Sequence, residues 1–303
     1  MRIMRLTVET IVLFLIIGCC APVKNMVLVE GGTYKSDYKE KDKPEPVEVE
    51  IKDFYIGKYE VTQALWKTVM EKNPSYFIGD SLPVENVTWY SAVIFCNKLS
   101  EVEGLDKCYD IVQTATDSSN YKEDFQAKYT VSYNWNANGY RLPTETEWEY
   151  ASRGGRRCSG YKHSGSNDID EVGWHIRNSG DKKLTEFNQA SVFDRDSLKI
   201  YNNSTKAVGR KKPNELGIYD MTGNVYEYCN DFKDYIYINY QVEPGDPVFG
   251  SEILVHQRIT IGGSWMDDLR ESTIADRMLI APYAGINSNG LRVARNRKCY
   301  FSF

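Results

Sequence analysis

The sequence predicts an α+β domain with unusually little regular secondary structure. Three observations lead there. Capping residues stand before three short amphipathic segments. Apolar runs of strand length are few and scattered. The stretches between them are polar and rich in turn-forming residues.

The chain opens on a leader. Arg2 and Arg5 form a short basic region, with Glu9 as its one departure, and Ile11 to Ile17 is an unbroken apolar run. That run is too short for a spanning helix, which needs ~20 residues, so 1–18 reads as a signal peptide. Ile16-Ile17-Gly18-Cys19 is similar to a bacterial lipobox. The resemblance implies cleavage before Cys19, lipid on its sulfur, and anchoring at a bacterial cell surface or in the periplasm. Cys20 then sits beside the anchor, and residues 19–25 read as lipidated cysteine and tether. The domain proper is 26–303.

Val27–Val29 has strand character. Lys35 to Glu50 is dense in charge, with Pro44 and Pro46, and reads as an exposed loop or edge; Val47–Ile51 is strand-like at its end. Thr62 caps a helix through Leu65, Trp66 and Val69 to Met70, stopped by Asn73-Pro74. Thr88 caps a second, with Trp89, Val93, Cys96 and Leu99 on one face and Gly104 past its end. Thr144 and Glu147 make a capping box for a third, through Trp148 and Ala151 to Gly154-Gly155. Ile253–Val255, Ile259–Ile261 and Leu291–Ala294 are further strand-like runs.

Composition narrows the function. There are 37 basic and 42 acidic residues, a formal net charge of −5, which argues against nucleic acid as a partner. Cys96, Cys108, Cys158, Cys229 and Cys299 lie beyond the leader with no Cys-x-x-Cys pair, so a zinc site is not expected. Cys96 and Cys108 could bridge, but the odd count leaves a thiol over. His163, His175 and His256 are scattered without ligand spacing and read as surface or loop residues. No Ser-His-Asp set or phosphate-binding glycine loop is present.

Several stretches carry a resemblance: Met26 to Gly32, Tyr59-Glu-Val-Thr62, Pro83 to Trp89, Tyr140-Arg-Leu-Pro-Thr-Glu-Thr-Glu-Trp-Glu-Tyr-Ala151, Lys212 to Cys229, Ile261-Gly-Gly-Ser-Trp265 and Gly290-Leu-Arg-Val-Ala294. In this order they resemble the formylglycine-generating enzyme (sulfatase-modifying factor) family. The resemblance implies a variant C-type-lectin fold displaying its C-terminal segment, 262–294, as a binding face. Catalytic members carry two copper-binding cysteines after the Gly-Gly-Ser-aromatic signature. The matching positions here hold Asp267 and Ser272, a hard ligand and a protonated hydroxyl in place of the thiolates that select Cu(I). No catalytic residue and no catalytic cofactor is therefore expected. Tyr226 and Tyr228 also replace the usual tryptophans, and 180–206 reads as an insertion.

Asn224 and Glu227 stand where family members bind structural calcium, which takes six to eight oxygens; a hydrogen-bonded turn without metal is the other reading. Arg141, Glu145 and Glu149 read as internally paired structural charges. The adjacent acids Asp267 and Asp268 could hold a cation or a ligand's basic group, or lie in a solvated loop. Trp265, Ala275, Arg277, Pro282, Gly290 and Arg292 form a family-like frame. Between them, Met266, Leu269, Arg270, Met278, Leu279, Ile280, Tyr283, Ile286 and Asn287 are an atypical filling. With Asp267, Asp268 and Ser272 they are the expected contacts for a protein or glycan ligand, because apolar residues gathered on a loop-rich surface mark binding patches. This pattern is similar to that of retroelement-diversified variable proteins, which vary such positions on a fixed lectin scaffold. The expected function is a non-catalytic, lipid-anchored ligand-binding protein; the alternative is a cysteine-independent enzyme of the same fold.

Overall fold

The computed structural model of the chain describes residues 25–36, 48–116, 127–183, 201–238, 252–268 and 274–297. Cys19, the residue at which lipidation is expected, and the segment positions Leu269, Arg270 and Ser272 lie outside them, as do Cys20 and Cys299. Among the described residues no helix is long and apolar enough to cross a membrane.

The predicted helices form at their predicted caps. Thr62 precedes α1 (Gln63–Met70), and its hydroxyl accepts from Leu65 N. Thr88 precedes α2 (Trp89–Val102) in a capping box closed by Ser91. Thr144 and Glu147 close the box on α3 (Glu145–Ser152). Each box satisfies two of the N–H groups that a helix start leaves orphaned. A single turn, α4 (Ile169–Val172), is capped by Asp168.

Two four-stranded sheets surround these helices. The first runs β1 (Met26–Val29), β4 (Phe54–Gly57), β12 (Ala294–Asn296), β7 (Tyr140–Arg141), antiparallel throughout. The second runs β10 (Arg277–Ile280), β9 (Glu252–Ile261), β8 (Tyr226–Ile238), β11 (Asn289–Gly290), with β11 parallel to β8. Two antiparallel pairs stand apart, β2 (Gly32–Lys35) with β3 (Glu48–Ile51) and β5 (Tyr109–Thr116) with β6 (Ala127–Tyr133).

Several sequence expectations are corrected. Ile253–Val255 and Ile259–Ile261 belong to one strand, β9, because Arg258 and Thr260 continue the same ladder. Leu291–Val293 is not a strand but a buried crossing from β11 in one sheet to β12 in the other, which begins at Ala294; it is held by Val61 N to Leu291 O (2.9 Å) and Gly57 N to Val293 O (2.8 Å). Glu48–Ile51 forms the strand expected over Val47–Ile51, and its partner β2 ends at Lys35, the first residue of the charged stretch.

The core has two centres. One gathers Trp66, Trp89, Phe95, Tyr140, Leu142 and Leu291 around α1 and α2, with Trp66 stacked on Phe95 at 5.0 Å. The other gathers Phe54, Ile56, Trp148, Ile218, Ile259 and Ile261 between the sheets. Cys96 and Cys108 are both buried in the first centre as free thiols, not bridged. Arg141, Glu145 and Glu149 are paired internally: Arg141 with Glu147 (2.5 Å), Glu145 with Arg277 (2.7 Å), and Glu149 with Arg153 (2.8 Å) and Arg277 (2.5 Å).

Candidate binding face

The frame of the site is built around the turn at Gly223-Asn224. Gly223 has φ 76°, and a Cβ there would lie 2.0 Å from the Trp174 carbonyl oxygen, so only glycine fits. Asn224 follows at φ 65° with its side chain buried. Its Oδ1 accepts from Lys206 N (2.8 Å), and its Nδ2 donates to Glu60 Oε2 (2.7 Å). Glu227 accepts from the Trp148 indole (2.6 Å) and from the Arg292 guanidinium through both oxygens (2.6 to 3.1 Å). Arg292 also donates to Gly57 O and Tyr219 O, both at 2.9 Å. The Glu227 carboxylate is thus shared by a guanidinium and an indole, and the Asn224 side chain bonds within the protein through both its oxygen and its nitrogen. Among the described residues no group of three or more His, Cys, Asp or Glu side chains could hold a metal ion.

Three buried acids share this network. Glu60, Asp220 and Glu227 surround one arginine. Burial pushes the Glu60 carboxyl well above its ordinary range, with Asp220 and Glu227 adding to the effect, and burial raises Asp220 to about 6. Charged groups in a low-dielectric interior respond in this way when cations are too few.

The display segment begins at Gly262-Gly263, both at positive φ. Trp265 is buried, donates its indole N–H to Asn287 O (3.0 Å), and meets Phe77 edge-on at 5.2 Å. Asp267, at the position where the family resemblance places a first cysteine, is held in an internal set. Asp267 Oδ2 accepts from Ser264 N (2.9 Å) and Ser264 Oγ (2.5 Å), and Tyr226 bonds the same carboxyl. Two departures from the family pattern, Tyr226 and Asp267, thus meet each other. Burial raises the Asp267 carboxyl, and the Ser264 bonds only partly offset it. Asp268 pairs with Arg177 (3.3 Å). Neither acid lies in a solvated loop, and the basic group that Asp268 meets is the protein's own.

The filling residues sort by position. Ile280 is 8% exposed and belongs to the first core centre, so its place as a ligand contact is corrected. Met278 and Leu279 are half-buried because β10 pairs along β9 instead of standing as a loop, and Met266, Tyr283 and Asn287 are half-buried outside that strand. Ile286 is 38% exposed. Of the frame residues, Trp265, Ala275, Pro282, Gly290 and Arg292 are buried and Arg277 is half-buried. His163 and His175 are also buried, against the surface reading: His175 Nε2 meets Asp170 Oδ1 (3.1 Å), and burial lowers both, His163 to about 4. His256 lies in β9, its side chain outside the described residues.

Sequence reasoning missed the loop beside Ile286. Tyr76 is 69% and Ile78 75% exposed. The loop is tied to the display segment by Asn86, whose N–H donates to Ile286 O (2.9 Å) and whose side chain donates to Pro74 O (3.0 Å). Beneath it, buried Glu85 accepts from Phe77 N (2.8 Å), and burial raises its carboxyl to about 7. The signal was present in sequence: Tyr76-Phe77-Ile78 is an apolar run just past a helix stop.

Comparison with known proteins agrees with this architecture. A chaperone protein, LppX, of Paenibacillus barcinonensis is 41% identical over 281 residues, covering 90% of both chains. The formylglycine-generating enzyme of Streptomyces coelicolor is 32% identical over 130 residues, 42% of this chain and 37% of that enzyme. The solved structure of Treponema denticola variable protein 1 superposes with a TM-score of 0.66 at 30% identity, covering 90% of this chain and 95% of that one. The model of the sulfatase-modifying factor enzyme 1-like domain matches residues 18–297, and the chain belongs to that family.

Proposed function

We propose that the chain is a non-catalytic, lipid-anchored binding protein that takes a polypeptide ligand on the face where the 74–79 loop meets the display segment. One observation carries the reading. Tyr76, Ile78 and Ile286 are exposed apolar side chains on segments tied together through Asn86 and backed by the Trp265–Phe77 ring contact. Large exposed apolar groups on a fixed support are how proteins hold other proteins. A relative named as a chaperone favours a polypeptide ligand, and a structural neighbour named as a variable protein favours binding over catalysis. The filled Asp267 position supports the absence of copper chemistry.

The test uses the chain from Ala21 onward and a reduced, unfolded model polypeptide. Wild type is expected to bind it and suppress its aggregation. Tyr76→Ser, Ile78→Ser and Ile286→Ser combined should abolish both, with the melting midpoint nearly unchanged because exposed changes stay within ~0.5 kcal/mol each. Undiminished suppression by the folded triple variant would refute the reading.

A further inference from the structure

A second site lies between the β8–β9 pair and the start of α2. Arg258 in β9 places its guanidinium carbon 3.5 Å from the centre of the Trp89 ring and 5.2 Å from that of Phe232, its partner in β8. Its Nη1 donates to Asn230 O (3.2 Å), while its Nε is buried with no partner. Among the described residues it makes no ion pair. The nearest acid to act on it, Asp231, is occupied as acceptor from Glu145 N (2.7 Å). Burial pushes Arg258 down to about 10, the response of a cation whose desolvation nothing offsets. By contrast Arg141, Arg177, Arg277 and Arg292 each pair with a carboxylate.

The surroundings are aromatic. Tyr90, one residue on from Trp89, faces Tyr129 of β6 at 5.1 Å, and its ring meets Trp89 at 5.7 Å. Phe232 is 52% exposed and forms the outer side of the guanidinium. The site therefore offers one charge-assisted donor set and several ring faces.

We propose that Arg258, held on the buried Trp89 ring, binds a carboxylate-bearing sugar together with Phe232, Tyr90 and Tyr129. The guanidinium takes the carboxylate, for which its planar donor set is matched. The sugar's C–H faces, polarised by their neighbouring oxygens, lie on the negative faces of the rings. An acidic peptide is the less suited ligand: at Arg258 itself β9 is paired on both sides, with Phe232 of β8 and Ile280 of β10, so the strand that carries the guanidinium offers no free edge there to a peptide backbone. The inference is independent of the polypeptide face, whose residues it does not use.

The experiment titrates the folded chain from Ala21 onward with oligogalacturonate and with the matching neutral oligogalactose, read by tryptophan fluorescence and calorimetry. Oligogalacturonate is expected to bind and the neutral sugar to bind at least tenfold more weakly, with affinity falling as salt rises. Phe232→Ala, an exposed change that should fold, and Arg258→Lys, which keeps the charge but not the fork, should each weaken binding about tenfold. Melting curves identify variants that fold. Equal affinity for the charged and neutral sugars, undiminished binding in folded Phe232→Ala, or tighter binding of oligoglutamate than of oligogalacturonate would each overturn the proposal.

Discussion

Ile280 and Ile286 have the same side chain, lie six positions apart in one segment, and should behave oppositely. Ile280 pairs opposite Arg258 and packs into the α1–α2 core, whereas Ile286 stands at the surface. Ile280→Ser removes buried methylene and methyl groups, a loss of ~2–5 kcal/mol by comparison with truncation to alanine. It also leaves a hydroxyl in an apolar site, adding ~1 kcal/mol or more if the hydroxyl finds no acceptor. The expected cost is ~3–5 kcal/mol, or a fall in melting midpoint of roughly 6–20 °C at ~2–4 °C per kcal/mol for a domain of this size. Ile286→Ser should stay within ~0.5 kcal/mol, a shift of about 2 °C at most. Thermal melts by circular dichroism in one buffer decide the matter. Equal shifts would mean that β10 is not the boundary between frame and display.

The remaining predictions concern charge, metal and anchoring. Glu85 and Asp220 have folded values raised above their ordinary ones, to about 7 and about 6. The native state thus holds protons there that the unfolded state has released, and stability drops as pH climbs from about 4.5 to about 7. His163 and His175 are lowered, so their contribution is present above the ordinary histidine value and is lost as pH falls below it. Melts from pH 4 to pH 8 should show Glu85→Gln flattening the alkaline-side decline and His163→Gln the acid-side one; parallel profiles for wild type and variants would contradict this. Arg292→Met leaves three buried acids without their guanidinium and should cost ~3–5 kcal/mol in denaturant melts; a near-neutral change would show that the acids are already uncharged. Because Glu227 is taken by Arg292 and Trp148, saturating calcium and excess chelator should give the same melting midpoint, and a higher midpoint in calcium would reinstate the ion. Full-length protein in a bacterial host should incorporate a clickable fatty acid, and Cys19→Ala should abolish the label; equal labelling would remove the anchor.

What could be read from the chain follows from how local the cause was. The three main helices were legible because Thr62, Thr88 and Thr144 act within a few residues of themselves. The Gly223-Asn224 turn was legible because only special residues take positive φ. The strands β5, β6 and β8 were not, since their tyrosine-rich, half-polar stretches alternate too weakly to mark one face. Leu291–Val293 misled because residues buried on all sides look alike in sequence whether or not the backbone pairs. The display segment misled more: Leu279 and Ile280 are apolar because β9 lies beside them, a partner some twenty positions away. Arg258 had no sequence signature, since an arginine's lack of an acid is a fact about space.

The place of β12 has a consequence for biogenesis. Ala294–Asn296 is the middle of its sheet, inserted between β4 and β7. A chain that crosses a membrane amino end first delivers that strand last. Until it arrives, β4 and β7 have no common neighbour, and Arg292 has not reached Glu227. The sheet closes only when contacts separated by more than two hundred residues are made, which makes closure slow and leaves earlier elements exposed. A product truncated anywhere in the display segment would lack the closing strand and remain open to proteolysis. Full-length synthesis is thereby a condition of folding, and any altered segment that folds has been joined intact to the strand that follows it.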